Sequence, residues 1–105
     1  MANILSIDTS NNKIIKIGLQ ANGKIVMAQE DARKLKSQMI LILISKVLEE
    51  NSVYFKDLTA IKVNTGPGSF TGLRVGVSIA NALSYLLKIP VNGKIIGEIE
   101  MPVYN

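Results

Sequence analysis

The chain has 105 residues, 48% hydrophobic and 19% charged, which is globular in composition and enough for one domain around one modest core. It contains neither cysteine nor histidine, which excludes disulfide frameworks, Cys/His zinc sites, Ser-His-Asp triads and thiolate nucleophiles. The net charge is +4, but the lysines at positions 13, 16, 24, 34, 36, 46, 56, 62, 88 and 94 are spread along the chain, without the clustering that marks nucleic-acid binding.

The longest purely apolar run is Met39 to Ile44, so no window approaches the roughly 18 apolar residues of a membrane span. Met-Ala-Asn leads directly into a strand-like segment, without the regions of a signal peptide. The expected address is cytoplasmic, with no membrane partner.

Taken in order, "NILSID" (3–8) reads as a short strand ending at Asp8, and "TSNNK" as a turn. "KIIKIGLQ" (13–20) and "KIVMAQED" (24–31) are two more strands joined by Asn22-Gly23, the strongest short hairpin signal. From about Lys34 to Asn51 the pattern turns helical. At about 100° per residue, Leu35, Met39, Ile42 and Leu43 share one direction, and Ile40, Ile44 and Val47 continue round. Such a helix is apolar over most of its circumference and needs cover on two sides. The sheet supplies one side; a second helix or a partner protein supplies the other.

"LTAIKVNT" (58–65) is apolar enough for a central fourth strand. A helix follows from Ser69 or Thr71 to Leu87, with Pro90 beyond it as a stop. On it Gly72, Gly76 and Ala80 form a small-residue face whose expected neighbour is the first helix. "VNGKIIG" is a candidate fifth strand, and "EIEMPVYN" (98–105) a tail or edge strand after a lobe spanning 1–97. The order βββαβαβ describes a ribonuclease-H-like α/β domain with a mixed five-stranded sheet and two main helices.

Between the fourth strand and second helix lies "NTGPGSFTGLRVG" (64–76). Gly66, Gly68 and Gly72 are spaced one residue too widely for a dinucleotide fingerprint, and no Gly-Lys-Ser/Thr follows. The loop does enter a helix N-terminus, where free N–H groups favour anions, with Arg74 in the first turn. The structural reading requires less: a type II turn with Pro67-Gly68 at its centre, a Ser69 or Thr71 cap, and Phe70 as an apolar plug. Asp8 stands at a strand end where carboxylates can serve metal or nucleotide chemistry, but no acid accompanies it on the fourth strand. It reads as a turn-former. The competing reading is a nucleotide-binding domain built on Asp8 and the 66–72 loop, with Mg-dependent ATP or ADP binding that Asp8→Ala removes.

"ILSIDTS" and "GPGSFTGLRVGVSIANAL" together resemble the bacterial TsaB (YeaZ) family, and "LKSQMILILISKVLEE" resembles that family's first helix, with Lys36 replacing a common histidine. The resemblance covers about residues 3 to 93. It implies an N-terminal lobe of the actin/Hsp70-type ATPase fold in a non-catalytic partner subunit of tRNA threonylcarbamoyladenosine synthesis. It further implies pairing through the two helices with a TsaD-like catalytic paralogue, possible company of a TsaE-like ATPase, homodimerisation in isolation, and only indirect contact with tRNA. No cofactor or metal is expected in this chain alone. The implied interface residues are Leu35, Met39, Ile42, Leu43, Val75, Ile79 and Leu83, some of which must face the sheet instead. The motif positions are Asp8, Gly66, Pro67, Gly68, Ser69, Phe70, Thr71, Gly72, Arg74 and Gly76. The chain departs from the family pattern in length and after "PVNGK", where "IIGEIEMPVYN" follows.

Overall fold

Alternation of apolar and polar residues builds three antiparallel strands: β1 (Ile4–Asp8), β2 (Ile14–Ala21) and β3 (Lys24–Asp31). The computed structural model describes residues 2–34 and 36–103, so the expected interface residue Leu35 and the last two tail residues lie outside the described residues. Asn22 and Gly23 both take positive φ (55° and 73°), which gives the β2–β3 hairpin the tight turn expected of this pair. Helix α1 (Ser37–Glu50) follows, then β4 (Ala60–Val63) and helix α2 (Phe70–Leu87). The sheet order is β3-β2-β1-β4, with β4 parallel to β1.

One sheet face is the core. Leu5, Ile7, Ile15, Ile17, Leu19, Ile61 and Val63 pack there against Ile40, Ile44, Val47 and Leu48 of α1 and Val77, Ile79, Ala80 and Leu83 of α2. The other face is open, and it carries Lys16, Lys62, Ile25 and Met27. By length and composition α2 is long and apolar enough to cross a membrane, which corrects the sequence expectation that no such window exists. In this fold it is the main core helix, with Leu73 and Ala80 fully buried.

The expected fifth strand is a correction: among the described residues the sheet has four strands, mixed in direction. Only Val91 bridges, parallel to Ile61. Pro90 accepts from the Ile61 amide (2.9 Å) and the Asn92 amide donates to Ile61 (2.8 Å), after which Asn92 (φ 51°) and Gly93 (φ 73°) turn the chain away. The Asn92 side chain then stands in for the missing strand. Its Oδ1 accepts from the Val63 amide (2.8 Å) and its Nδ2 donates to the Val63 carbonyl (3.0 Å).

Residues 98–103 form no strand but return across α2. Asn81 exchanges two hydrogen bonds with the Glu100 backbone (2.9 and 2.8 Å), and the Val103 amide donates to the Thr65 carbonyl (2.6 Å). The Glu100 carboxylate accepts from Asn92 Nδ2 (2.8 Å) and lies 3.8 Å from Lys94 Nζ. The Asn92 bond lowers the Glu100 pKa most, and the Met101 amide and Lys94 add to it against the opposing effect of burial. Because the folded pKa lies below the unfolded one, this contribution is present above the ordinary carboxylate range and is lost as pH falls through the folded value. Acid titration of thermal stability should therefore show a loss below about pH 4.5 that Glu100→Gln reduces.

Candidate functional site

The end of β1 and the start of α2 are built against each other. Asp8 Oδ1 accepts from the Ser10 amide (3.0 Å) and the Ser10 hydroxyl (2.6 Å), the turn-forming role read from the sequence. Burial pushes the Asp8 carboxyl pKa up, but the Ser10 bonds, the Asn64 amide and the charge of Lys16 outweigh it, and the net direction is down. Asn64 extends the chain of contacts: its Nδ2 donates to Ser10 Oγ (3.2 Å) and its Oδ1 accepts from the Gly66 amide (2.9 Å).

The glycine-rich loop differs from the expected type II turn. The Gly66–Pro67 peptide is cis, and the positive φ belongs to Gly66 (112°), not to Gly68. Gly68 is required for another reason: a Cβ there would lie 2.5 Å from the Ser10 carbonyl oxygen. Ser69 is the cap, accepting from the Gly72 amide at 3.3 Å, while its own amide donates to Ser10 O at 2.7 Å. Thr71 is exposed and makes no cap. Phe70 is not a plug; it is 56% exposed, with the Arg74 guanidinium 5.5 Å from its ring centroid.

The small-residue face of α2 also has a different neighbour from the one expected. Cβ atoms at Gly72 and Gly76 would overlap Thr9, the first at its carbonyl oxygen and the second at its side chain. Thr9 is 1% exposed, and its hydroxyl donates to the Gly72 carbonyl at 2.5 Å. The glycines therefore admit the turn after β1, not helix α1. Sequence reasoning missed Thr9, because a threonine one residue past a strand carries no signal of burial. It missed Asn81 and Asn92 for a similar reason: their side-chain amides act as backbone substitutes only because of where the fold places them.

Chemically, the polar groups of the β1 turn and of the loop are largely engaged with each other. Among the described residues no group of three or more acidic side chains is placed to hold a metal ion. A second candidate surface is the outer side of the two helices. Ile42 is 59% exposed and Leu86 71% exposed, with Leu41 and Tyr85 exposed beside them. Met39, Leu43 and Val75 are half-buried, and Leu43 and Val75 rest on the core edge. Ser37 of α1 and Thr71, Val75 and Ser78 of α2 line one shallow groove, so the helices run side by side. Ile79 and Leu83 are the members of the expected interface set that are buried in the core.

With this geometry in hand, comparison with known proteins identifies its relatives. Residues 23–93 match the family model described as TsaD: tRNA N6-adenosine threonylcarbamoyltransferase. The tRNA threonylcarbamoyladenosine biosynthesis protein TsaB of Buchnera aphidicola subsp. Schizaphis graminum is 38% identical over 90 residues, covering 86% of this chain and 42% of that protein. The tRNA N6-adenosine threonylcarbamoyltransferase of Clostridium kluyveri is 41% identical over 64 residues, covering 61% of this chain and 19% of that protein. The solved structure of YeaZ from Pseudomonas aeruginosa superposes with a TM-score of 0.80 at 30% identity, covering 87% of this chain and 42% of that one. The chain thus spans about two fifths of the length of the TsaB relative that it matches. It belongs to the family described as TsaD, tRNA N6-adenosine threonylcarbamoyltransferase, and within that family it resembles TsaB (YeaZ).

Proposed function

We propose that the chain acts in tRNA threonylcarbamoyladenosine biosynthesis as a non-catalytic partner subunit of the cytoplasm, a single ribonuclease-H-like lobe of the actin/Hsp70 type. It docks a TsaD-like catalytic relative, or a second copy of itself, through the outer faces of α1 and α2. A TsaE-like ATPase joins through that complex, tRNA contacts are indirect, and the chain by itself holds no nucleotide or metal.

The observation that carries this reading is the uncovered apolar side of the two helices. Helix α1 buries Ile40, Ile44, Val47 and Leu48 against the sheet and still presents Ile42 and Leu41 to solvent. In its last turn α2 presents Leu86 and Tyr85. Exposed large apolar side chains on two adjoining helices have the composition of a protein contact. The names of the relatives support the pathway.

The test is Ile42→Asp. The side chain is exposed, so the fold is retained, whereas a central anchor of such a patch is worth more than about 1 kcal/mol of binding. Affinity for a TsaD-like protein, read by co-purification, should fall at least about fivefold, with an unchanged circular dichroism spectrum. Equal recovery of wild type and variant would remove the helix faces from the interface.

A further inference from the structure

The two edges of the sheet are finished differently. At β4 the edge is closed, because Pro90, Val91 and the side chain of Asn92 occupy the outward groups of Ile61 and Val63. At β3 it is open. This strand runs eight residues in unbroken register with β2, without proline or bulge. The two-residue loop makes Ala21 and Lys24 the closing hydrogen-bonded pair, so alternate residues Ile25, Met27 and Gln29 aim their N–H and C=O groups away from β2. The pairing with β2 gives these three amides no partner in that strand. Ile25 is 75% exposed and Met27 58% exposed. Natural edges are commonly blunted by shortness, proline, a bulge or an inward charge; apart from its terminal lysine, β3 has none of these along its first six residues.

We propose that this edge is an interaction surface whose occupant is a second copy of the chain, the two β3 strands pairing antiparallel about a two-fold axis through Met27. The strand's own sequence selects the partner and the register. Directly opposite residues must share a sheet face, so only registers that pair outer with outer and inner with inner residues are open. With the axis at Met27, Lys24 stands opposite Glu30 of the copy at both ends, Ile25 opposite Gln29, and Val26 opposite Ala28. An axis at Ala28 instead sets Ile25 against Asp31 and Val26 against Glu30. An axis at Val26 sets Lys24 against Ala28 and forfeits both ion pairs. Opposite charges across a strand pair favour one register over its neighbours. The product is one continuous eight-stranded sheet with all four helices on the same side. The outer faces of α1 and α2 stay free.

Absence of cysteine from the natural sequence makes the test direct. Facing residues of a hydrogen-bonded antiparallel pair have Cα atoms about 5.5 Å apart, within disulfide range. Under mild oxidation Met27→Cys should give a covalent dimer, while Gln20→Cys, on the same sheet face but one strand inward, should stay monomeric. Adding Lys24→Glu should slow Met27→Cys cross-linking by roughly fivefold, and Lys24→Glu with Glu30→Lys should restore it. Equal cross-linking at positions 20 and 27 overturns the proposal, and failure of the charge swap to restore the rate overturns the register. Adding Ile42→Asp should leave cross-linking unchanged, which separates this contact from the helix-face interface.

Discussion

Gly76→Ala should lower the unfolding free energy by about 2 kcal/mol or more, although helix propensity alone favours alanine by about 1 kcal/mol. A Cβ at position 76 would overlap Thr9 Oγ1 and come within 3.2 Å of Thr9 Cβ. Threonine is stiff at χ1, and this one is buried with its hydroxyl bonded to Gly72 O. Relief requires either moving the β1 turn from α2 or turning the hydroxyl away. Overpacking costs about 1–3 kcal/mol, and a buried carbonyl left without its donor about as much again. Steric cost therefore outweighs propensity. Urea unfolding measures the loss, and Ser78→Ala on the exposed side of α2 is the control that should not destabilise. Thr9→Ala should recover part of the loss in the double variant, since it removes the atoms in the way. A Gly76→Ala protein as stable as the parent would mean that α2 does not approach Thr9 so closely.

Ile44→Ala should cost about 2–5 kcal/mol, because the side chain is fully buried and its removal leaves a cavity between α1 and the sheet. A domain of this length has only about 5–15 kcal/mol in total, so the variant is expected near its unfolding threshold at moderate temperature. Two residues earlier on the same helix, Ile42→Ala should change stability by less than about 0.5 kcal/mol while weakening assembly. The same chemical truncation thus separates folding from binding. Thermal denaturation and co-purification of the two variants read the two quantities independently. A large loss of stability in Ile42→Ala would place that residue in the core.

The elements that the sequence revealed are those whose signal is local. Alternation in "KIVMAQED" and the Asn22-Gly23 turn placed β3 at its observed bounds. The helical period from about Lys34 to Asn51 marked α1, which the structure begins three residues later at Ser37 and ends at Glu50, and Ser69 was among the caps foreseen for α2. What was not legible depends on contacts between distant segments. Val91 to Gly97 has strand-like composition, but β4 meets only Val91 before Asn92 and Gly93 turn away. The spacing of Gly72 and Gly76 predicted a close approach without naming what approaches, and the answer is a threonine more than sixty residues earlier. Similarly, Pro67-Gly68 suggested one turn type, while contacts with Ser10 and the tail set the actual loop, with Gly66 beneath Val103. For the helix faces, periodicity found the apolar residues but not which side of each helix the sheet would take.

The Asn92 amide at the edge of β4 has a consequence for the size of any assembly. A sheet that can accept a neighbour at both margins has no reason to stop, and repeated addition leads to a fibre. With that margin sealed by Pro90, Val91 and the Asn92 side chain, growth by the proposed strand addition ends at a pair that closes on itself by symmetry. Where Val91 stops pairing, one carboxamide completes the seal that separates a countable complex from an endless one.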